Sequence, residues 1–162
     1  MIDGELRRAA AALLDELRAR RVMLATAESC TGGLIAAALT EVAGSSDVVD
    51  RGFVTYSNAA KTELLGVPAA MIAADGAVSQ AVAAAMAEGA LARSAAQITV
   101  AVTGVAGPGG GSADKPVGTV WFGCALRGAE TVTERQVFPG DRAAVRAATV
   151  LRAFELFHRA LT

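Results

Sequence analysis

Histidine is almost missing from this 162-residue chain, and cysteine and lysine are scarce. The one histidine, His158, falls near the C-terminus on what reads as the last helix, where packing or partial exposure accounts for it. A Ser-His-Asp arrangement is therefore not expected, and no Cys/His cluster is available to hold a metal. Two cysteines, Cys30 and Cys124, make no disulfide framework, so a reducing cytoplasm is the default. No apolar run approaches the ~18 residues of a transmembrane helix. The N-terminal residues Asp3, Glu5, Arg7 and Arg8 do not form a signal-peptide pattern. Neither sign of charge is in excess, with 15 basic against 16 acidic residues and a net charge of −1, which argues against nucleic acid as the main partner. There is no internal repeat and no linker, so residues 1–162 read as a single domain.

The shortage of lysine is itself a signal. Only Lys61 and Lys115 stand among the basic residues, and the rest are arginine. In an arginine-rich chain, a lysine can do what arginine cannot, which is to lose its proton.

What the chain does have is 53% hydrophobic residues, much of it alanine, which is ample for a core. The stretch Ala27-Glu28-Ser29-Cys30-Thr31-Gly32-Gly33 lies between two apolar runs and reads as a strand, a tight polar turn and a helix start. Such a turn can cap a helix through Ser29 or Thr31, hold an anion, or present a nucleophilic serine beside free backbone N–H groups.

The spacing predicts an amphipathic helix over 2–20, a strand over 22–26 and a helix over 31–42. A strand over 52–57 precedes a helix over 58–65, with Ser57 or Asn58 as N-cap and Lys61 in its first turn. A cation there opposes the helix dipole, which suits a base better than a permanent charge. Ser79 caps a helix over 80–93, and 97–103 is a buried strand. It runs into a glycine-rich stretch from Gly104 through Gly107 to Gly111 and on to Gly118, at the strand end where ligands of open α/β sheets sit. Strands over 119–126 and 131–138 pair as a hairpin, the second at a sheet edge, and Asp141 caps the final helix. These elements predict a three-layer α/β/α sandwich with a mixed, mainly parallel sheet of about five strands.

Three motifs then carry a resemblance. Ala27-Glu28-Ser29-Cys30-Thr31-Gly32-Gly33, Tyr56-Ser57-Asn58-Ala59-Ala60-Lys61 and Thr103-Gly104-Val105-Ala106-Gly107-Pro108-Gly109-Gly110, in that order, resemble the C-terminal domain of the competence/damage-inducible protein CinA, which also occurs as stand-alone proteins. The resemblance runs from about Leu6 to the last helix. It implies deamidation of nicotinamide mononucleotide to nicotinate mononucleotide and ammonia, in the recycling of pyridine nucleotides. It also implies a serine nucleophile matching Ser29, with Lys61 and Tyr56 as partners. The N-terminal pyrophosphatase domain of many relatives, and its metal requirement, do not transfer to so short a chain. No cofactor and no metal are expected.

The residues support that reading. With histidine and metal excluded, a Ser-Lys pairing remains for amide hydrolysis, and Cys30 is the competing nucleophile. An ordinary lysine titrates near 10.4, and a base useful near neutrality must be brought to about 7–8, which takes roughly 4 kcal/mol. A helix dipole supplies about 0.3–1 kcal/mol of this, so burial must supply most of it. Backbone N–H groups near Thr31, Gly32 and Gly33 are expected to face the substrate oxygen. Thr103, Gly104, Gly107 and Asn58 are expected to line the substrate site. Arg142, the first residue after the Asp141 cap, is expected to bind the substrate phosphate. A non-catalytic nucleotide- or phosphate-binding module, or an interaction partner of a competence or repair protein, is the alternative from another class. High apolar content and an edge strand point to a homo-oligomer.

Overall fold

In the computed structural model, which describes residues 2–162, the N-terminal amphipathic segment forms α1 (Gly4–Arg20), capped by the Asp3 carboxylate on the Leu6 N–H. The chain continues through β1 (Leu24–Glu28), α2 (Leu34–Thr40), a short 3-10 turn (Ser45–Asp47) and β2 (Val49–Val54). Three helices follow: α3 (Asn58–Leu65), α4 (Ala69–Asp75) and α5 (Gln80–Ala92). Then come β3 (Ile98–Gly104), β4 (Thr119–Leu126), β5 (Val132–Val137) and α6 (Arg142–Ala160).

The five strands lie in the order β2-β1-β3-β4-β5. β1 is parallel to both β2 and β3, while β4 is antiparallel to β3 and to β5. Four strands thus point one way and β4 alone runs against them, which is the mixed sheet the sequence predicts. Helices α1, α2 and α6 cover one face, and α3, α4 and α5 cover the other.

The two faces differ in side-chain size. Ile98, Val100, Val102, Val120 and Phe122 pack with Phe154 and Phe157 of α6 and the leucines of α1. The opposite face shows Ala27, Ala101 and Ala125 to the alanine-rich α5. Small residues on both sides let helix and sheet approach closely. At Gly123 the approach is so close that a methyl group would run into the Ala83 carbonyl.

Four local features depart from the sequence expectation. β2 begins and ends three residues earlier than expected, over Val49–Val54. β1 begins two residues later and runs through Glu28. α2 starts at Leu34 and not at Thr31, because Gly32 and Gly33 adopt φ of 57° and 101°, which no right-handed helix accepts. α4 is an additional helix. Its residues Ala-Ala-Met-Ile-Ala-Ala-Asp carry high helix propensity but bury only Ile72, so no apolar period announces it.

The parallel strands end together. The carboxyl ends of β1, β2 and β3 bring residues 28, 54 and 104 to one rim of the sheet, where connecting turns are free to form a site.

The close packing at Gly123 gives a stability test. Gly123→Ala should lower unfolding stability by about 1–3 kcal/mol, the range for forced overpacking, as read from the urea midpoint at unchanged slope.

Candidate active site

Ser29 follows the last residue of β1, and its N–H is held by the Val102 carbonyl of β3 at 3.1 Å. The turn beyond it is tightly bonded: Gly32 N–H donates to the Ser29 carbonyl, and Leu34 N–H to the Thr31 carbonyl, each at 3.0 Å. Ser29 itself is 8% exposed, with its hydroxyl opening on a cavity of about 240 Å³.

Lys61 arrives from the opposite side of the sheet, on the first turn of α3, whose N-cap is Ser57 through its hydroxyl on the Ala60 N–H. Its side chain bends back under the helix start and is 1% exposed. Its Nζ lies 3.0 Å from Ser29 Oγ and 3.1 Å from the Thr55 carbonyl, with the carbonyls of Tyr56 at 3.4 Å and Ser57 at 3.5 Å. Burial lowers the Lys61 pKa below the ordinary lysine value. A neutral amine has two N–H donors and one lone pair. Two of the carbonyls can take the donors, which leaves the lone pair for the Ser29 hydroxyl.

Cys30 also lines the cavity, but burial pushes its thiol up to about 11, so the thiolate is scarce near neutrality. The cavity wall is completed by Tyr56, Asn58, Thr103, Gly104 and Arg142, together with Ala77, Val78 and Ala106. The Thr103 hydroxyl donates to the Ala77 carbonyl at 2.9 Å and so ties the segment after α4 to β3. Arg142 spans the rim. It donates to the Gly107 carbonyl at 2.9 Å and to the Tyr56 hydroxyl at 3.2 Å. Tyr56 is 62% exposed, and the part of it that meets Lys61 is its carbonyl.

The structure thus brings Ser29, Lys61, Tyr56, Asn58, Thr103, Gly104 and Arg142 together. It leaves Thr31, Gly32 and Gly33 outside the cavity lining, and sets Gly107 beside the rim as a partner of Arg142. The Thr31 hydroxyl donates to Glu28 at 2.6 Å, the Gly32 N–H is spent on Ser29, and the Gly33 N–H faces the Glu28 carboxylate. Among the described residues, no backbone carbonyl engages the N–H of Cys30, next to Ser29.

Sequence reasoning left Glu28 without a role. It is fully buried, and its carboxylate accepts from Thr31 Oγ1, from Ile35 N–H at 2.8 Å and from Ala36 N–H at 3.1 Å. Burial pushes its carboxyl up, against the pull of these donors. The available signal was an acid that precedes a glycine N-cap lacking any side chain of its own.

A larger groove of about 770 Å³ runs between α5 and the β4–β5 turn, but its Glu88, Arg127 and Glu130 are all exposed to solvent. Among the described residues, no three His, Cys, Asp or Glu side chains converge as metal ligands, and no helix is long and apolar enough to cross a membrane.

The CinA C-terminal domain family matches residues 6–161. The chain is 54% identical over 142 residues to a CinA-like protein of Akkermansia muciniphila, covering 88% of the chain but 34% of that protein. It therefore spans about a third of the length of that relative. It is 57% identical over 130 residues to the nicotinamide-nucleotide amidohydrolase PncC of Enterobacter agglomerans, covering 80% and 79% of the two chains. The crystal structure of the competence/damage inducible protein CihA from Agrobacterium tumefaciens superposes with a TM-score of 0.97 at 47% identity, covering 100% and 99%.

The buried lysine has a thermodynamic signature. Its pKa is lower in the folded chain than in the unfolded one. Between the two values the unfolded chain binds more protons at this site, so folding stability rises with pH there. As pH rises from 7 toward the ordinary lysine value of 10.5, the wild type should gain stability relative to Lys61→Met, as measured by urea denaturation of both chains at each pH.

Proposed function

The chain belongs to the CinA C-terminal domain family, and on that premise we propose that it hydrolyses the carboxamide of nicotinamide mononucleotide to nicotinate mononucleotide and ammonia. The observation that carries this reading is the buried Lys61 Nζ at 3.0 Å from Ser29 Oγ. A relative at 57% identity that bears the name nicotinamide-nucleotide amidohydrolase supports the substrate.

The neutral Lys61 amine takes the Ser29 hydroxyl proton while Oγ attacks the carboxamide carbon. The resulting oxyanion is held by the Cys30 N–H beside Ser29. As the tetrahedral carbon collapses, its C–N bond breaks. The departing nitrogen receives the proton from the Lys61 ammonium and leaves as ammonia. A water then attacks the acyl-serine ester, Lys61 takes its proton, and Ser29 Oγ leaves and is reprotonated as the acid is released. Thr103 and Gly104 shape the wall against which the ring lies. Arg142 stands at the start of α6, where a cation opposes the helix dipole unless an anion joins it, and it binds the substrate phosphate. Tyr56, whose hydroxyl accepts from Arg142, lines the same cavity. Two free, buried cysteines suit a reducing compartment, the cytoplasm.

Ammonia release from nicotinamide mononucleotide tests this directly. Ser29→Ala should reduce kcat by about 10³-fold or more, and Cys30→Ala should not. Ammonia release retained in Ser29→Ala, or binding without release by the wild type, would defeat the proposal. Lys61→Arg puts a permanent charge in this place and cannot act as a base, so it should be as inactive as Lys61→Ala, by about 10²–10⁴-fold. The wild-type kcat/KM should rise with pH as Lys61 deprotonates, with a midpoint below that of an ordinary lysine. Arg142→Ala should raise KM for nicotinamide mononucleotide far more than for nicotinamide riboside, which has no phosphate. Equal losses on the two substrates would count against a phosphate role.

A further inference from the structure

Glu28 takes no part in the steps above, yet it is the one carboxylate among the described residues that is fully buried. Its bonds lead to both reacting side chains. The side chain grips the Thr31 hydroxyl at 2.6 Å and the Ile35 and Ala36 N–H groups at 2.8 and 3.1 Å. Its main-chain carbonyl accepts the Thr55 N–H at 2.8 Å, and the Thr55 carbonyl meets Lys61 Nζ at 3.1 Å. Lys61 Nζ reaches Ser29 Oγ at 3.0 Å, and Ser29 is the next residue in the chain. The links form a closed ring that begins and ends at Glu28.

Helix capping alone does not explain this arrangement. Four other helices begin on a short N-cap side chain, from Asp3, Ser57, Ser79 and Asp141. Among the described residues, α2 alone draws its cap from the end of the preceding strand, with a carboxylate that must be desolvated to serve. A cap for α2 needs only Ile35 and Ala36. The shortest bond of the set goes instead to Thr31, a residue of the turn itself, whose side chain points away from the cavity. That turn contains two glycines in the left-handed region, which add no side-chain contacts to hold it.

We propose that Glu28 is a positioning residue, which grips the Thr31 hydroxyl and the start of α2 with its carboxylate and Thr55 with its carbonyl, and so fixes Ser29 Oγ against the Lys61 amine. The inference rests on the Ser29 chemistry proposed above. Misplacing a reacting atom by about 1 Å costs on the order of 10²-fold in rate.

The full-length chain tests this with three variants and two readouts. Glu28→Gln keeps the size and removes the charge. Thr31→Val removes the hydroxyl and leaves the Glu28 cap on α2 in place, and Thr31→Ser returns the hydroxyl. The readouts are kcat and KM for nicotinamide mononucleotide, and the rate at which a fluorophosphonate probe labels Ser29, followed by mass spectrometry. Glu28→Gln and Thr31→Val should lower kcat by about 10- to 100-fold with KM changed less than about threefold, and slow labelling in parallel. Thr31→Ser should recover most of the loss. Wild-type kcat and labelling in Thr31→Val would overturn the proposal. So would losses that merely follow the fraction of folded protein seen by near-ultraviolet circular dichroism. If Glu28→Gln does not fold, the two Thr31 variants decide. If the wild type labels at Ser29 but releases no ammonia, the amidase reading fails, while the labelling rates still decide the role of Glu28.

Discussion

A lysine nitrogen with almost no contact with water is the constraint on which the rest of this molecule turns. A charged amine in that position is costly unless its protons are matched. The chain supplies three consecutive carbonyls, of Thr55, Tyr56 and Ser57, and one hydroxyl, of Ser29. The loop before α3 must therefore turn its carbonyls inward, and the helix must start at Asn58 so that Lys61 can fold back beneath it. The same crowding that disfavours the ammonium gives the amine a ready partner in Ser29. Burial and reactivity are two aspects of one placement.

The serine is held with equal economy of freedom. It sits on the central side of the sheet, where β1 is flanked by β2 and β3, and its own N–H is locked to Val102. The glycines that follow let the chain reverse within a few residues, and a buried acid joins the two ends of that reversal. On the far rim, Arg142 ties the glycine-rich loop to Tyr56, so residues from four separate connections meet around one small cavity.

Much of this was legible in the sequence. Ser57, Ser79 and Asp141 announced their helices through local hydrogen bonding, and each caps the expected helix. Alternating apolar residues marked β3 and β4, and the charges Glu134 and Arg135 marked β5 as an edge. Three ordered motifs pointed to the residues that gather at the rim. What stayed hidden depends on the third dimension. α4 has propensity without a periodic apolar face. The direction of the Thr31 hydroxyl and of the Gly32 and Gly33 N–H groups is set by the backbone of the turn, and sequence alone does not show that Glu28 claims the first and the last while the Ser29 carbonyl takes the second. The pairing of Arg142 with Tyr56 joins residues 86 positions apart, beyond the reach of any local rule.

The two hydrophobic cores described for the opposite faces of the sheet do not share their helices. The serine turn is moored to the first through Cys30 and Ile35, and the lysine helix to the second through Leu65. The hydroxyl and the amine therefore belong to different layers and meet only around the end of the sheet. Their 3.0 Å separation works as a vernier between two independently packed bodies. A sub-ångström slip of either layer, too small to expose a single apolar side chain, would be read out there first. The spacing of this pair is thus a finer gauge of packing than stability is, and the alanine-lined interface beneath α5 bears on a contact it never touches.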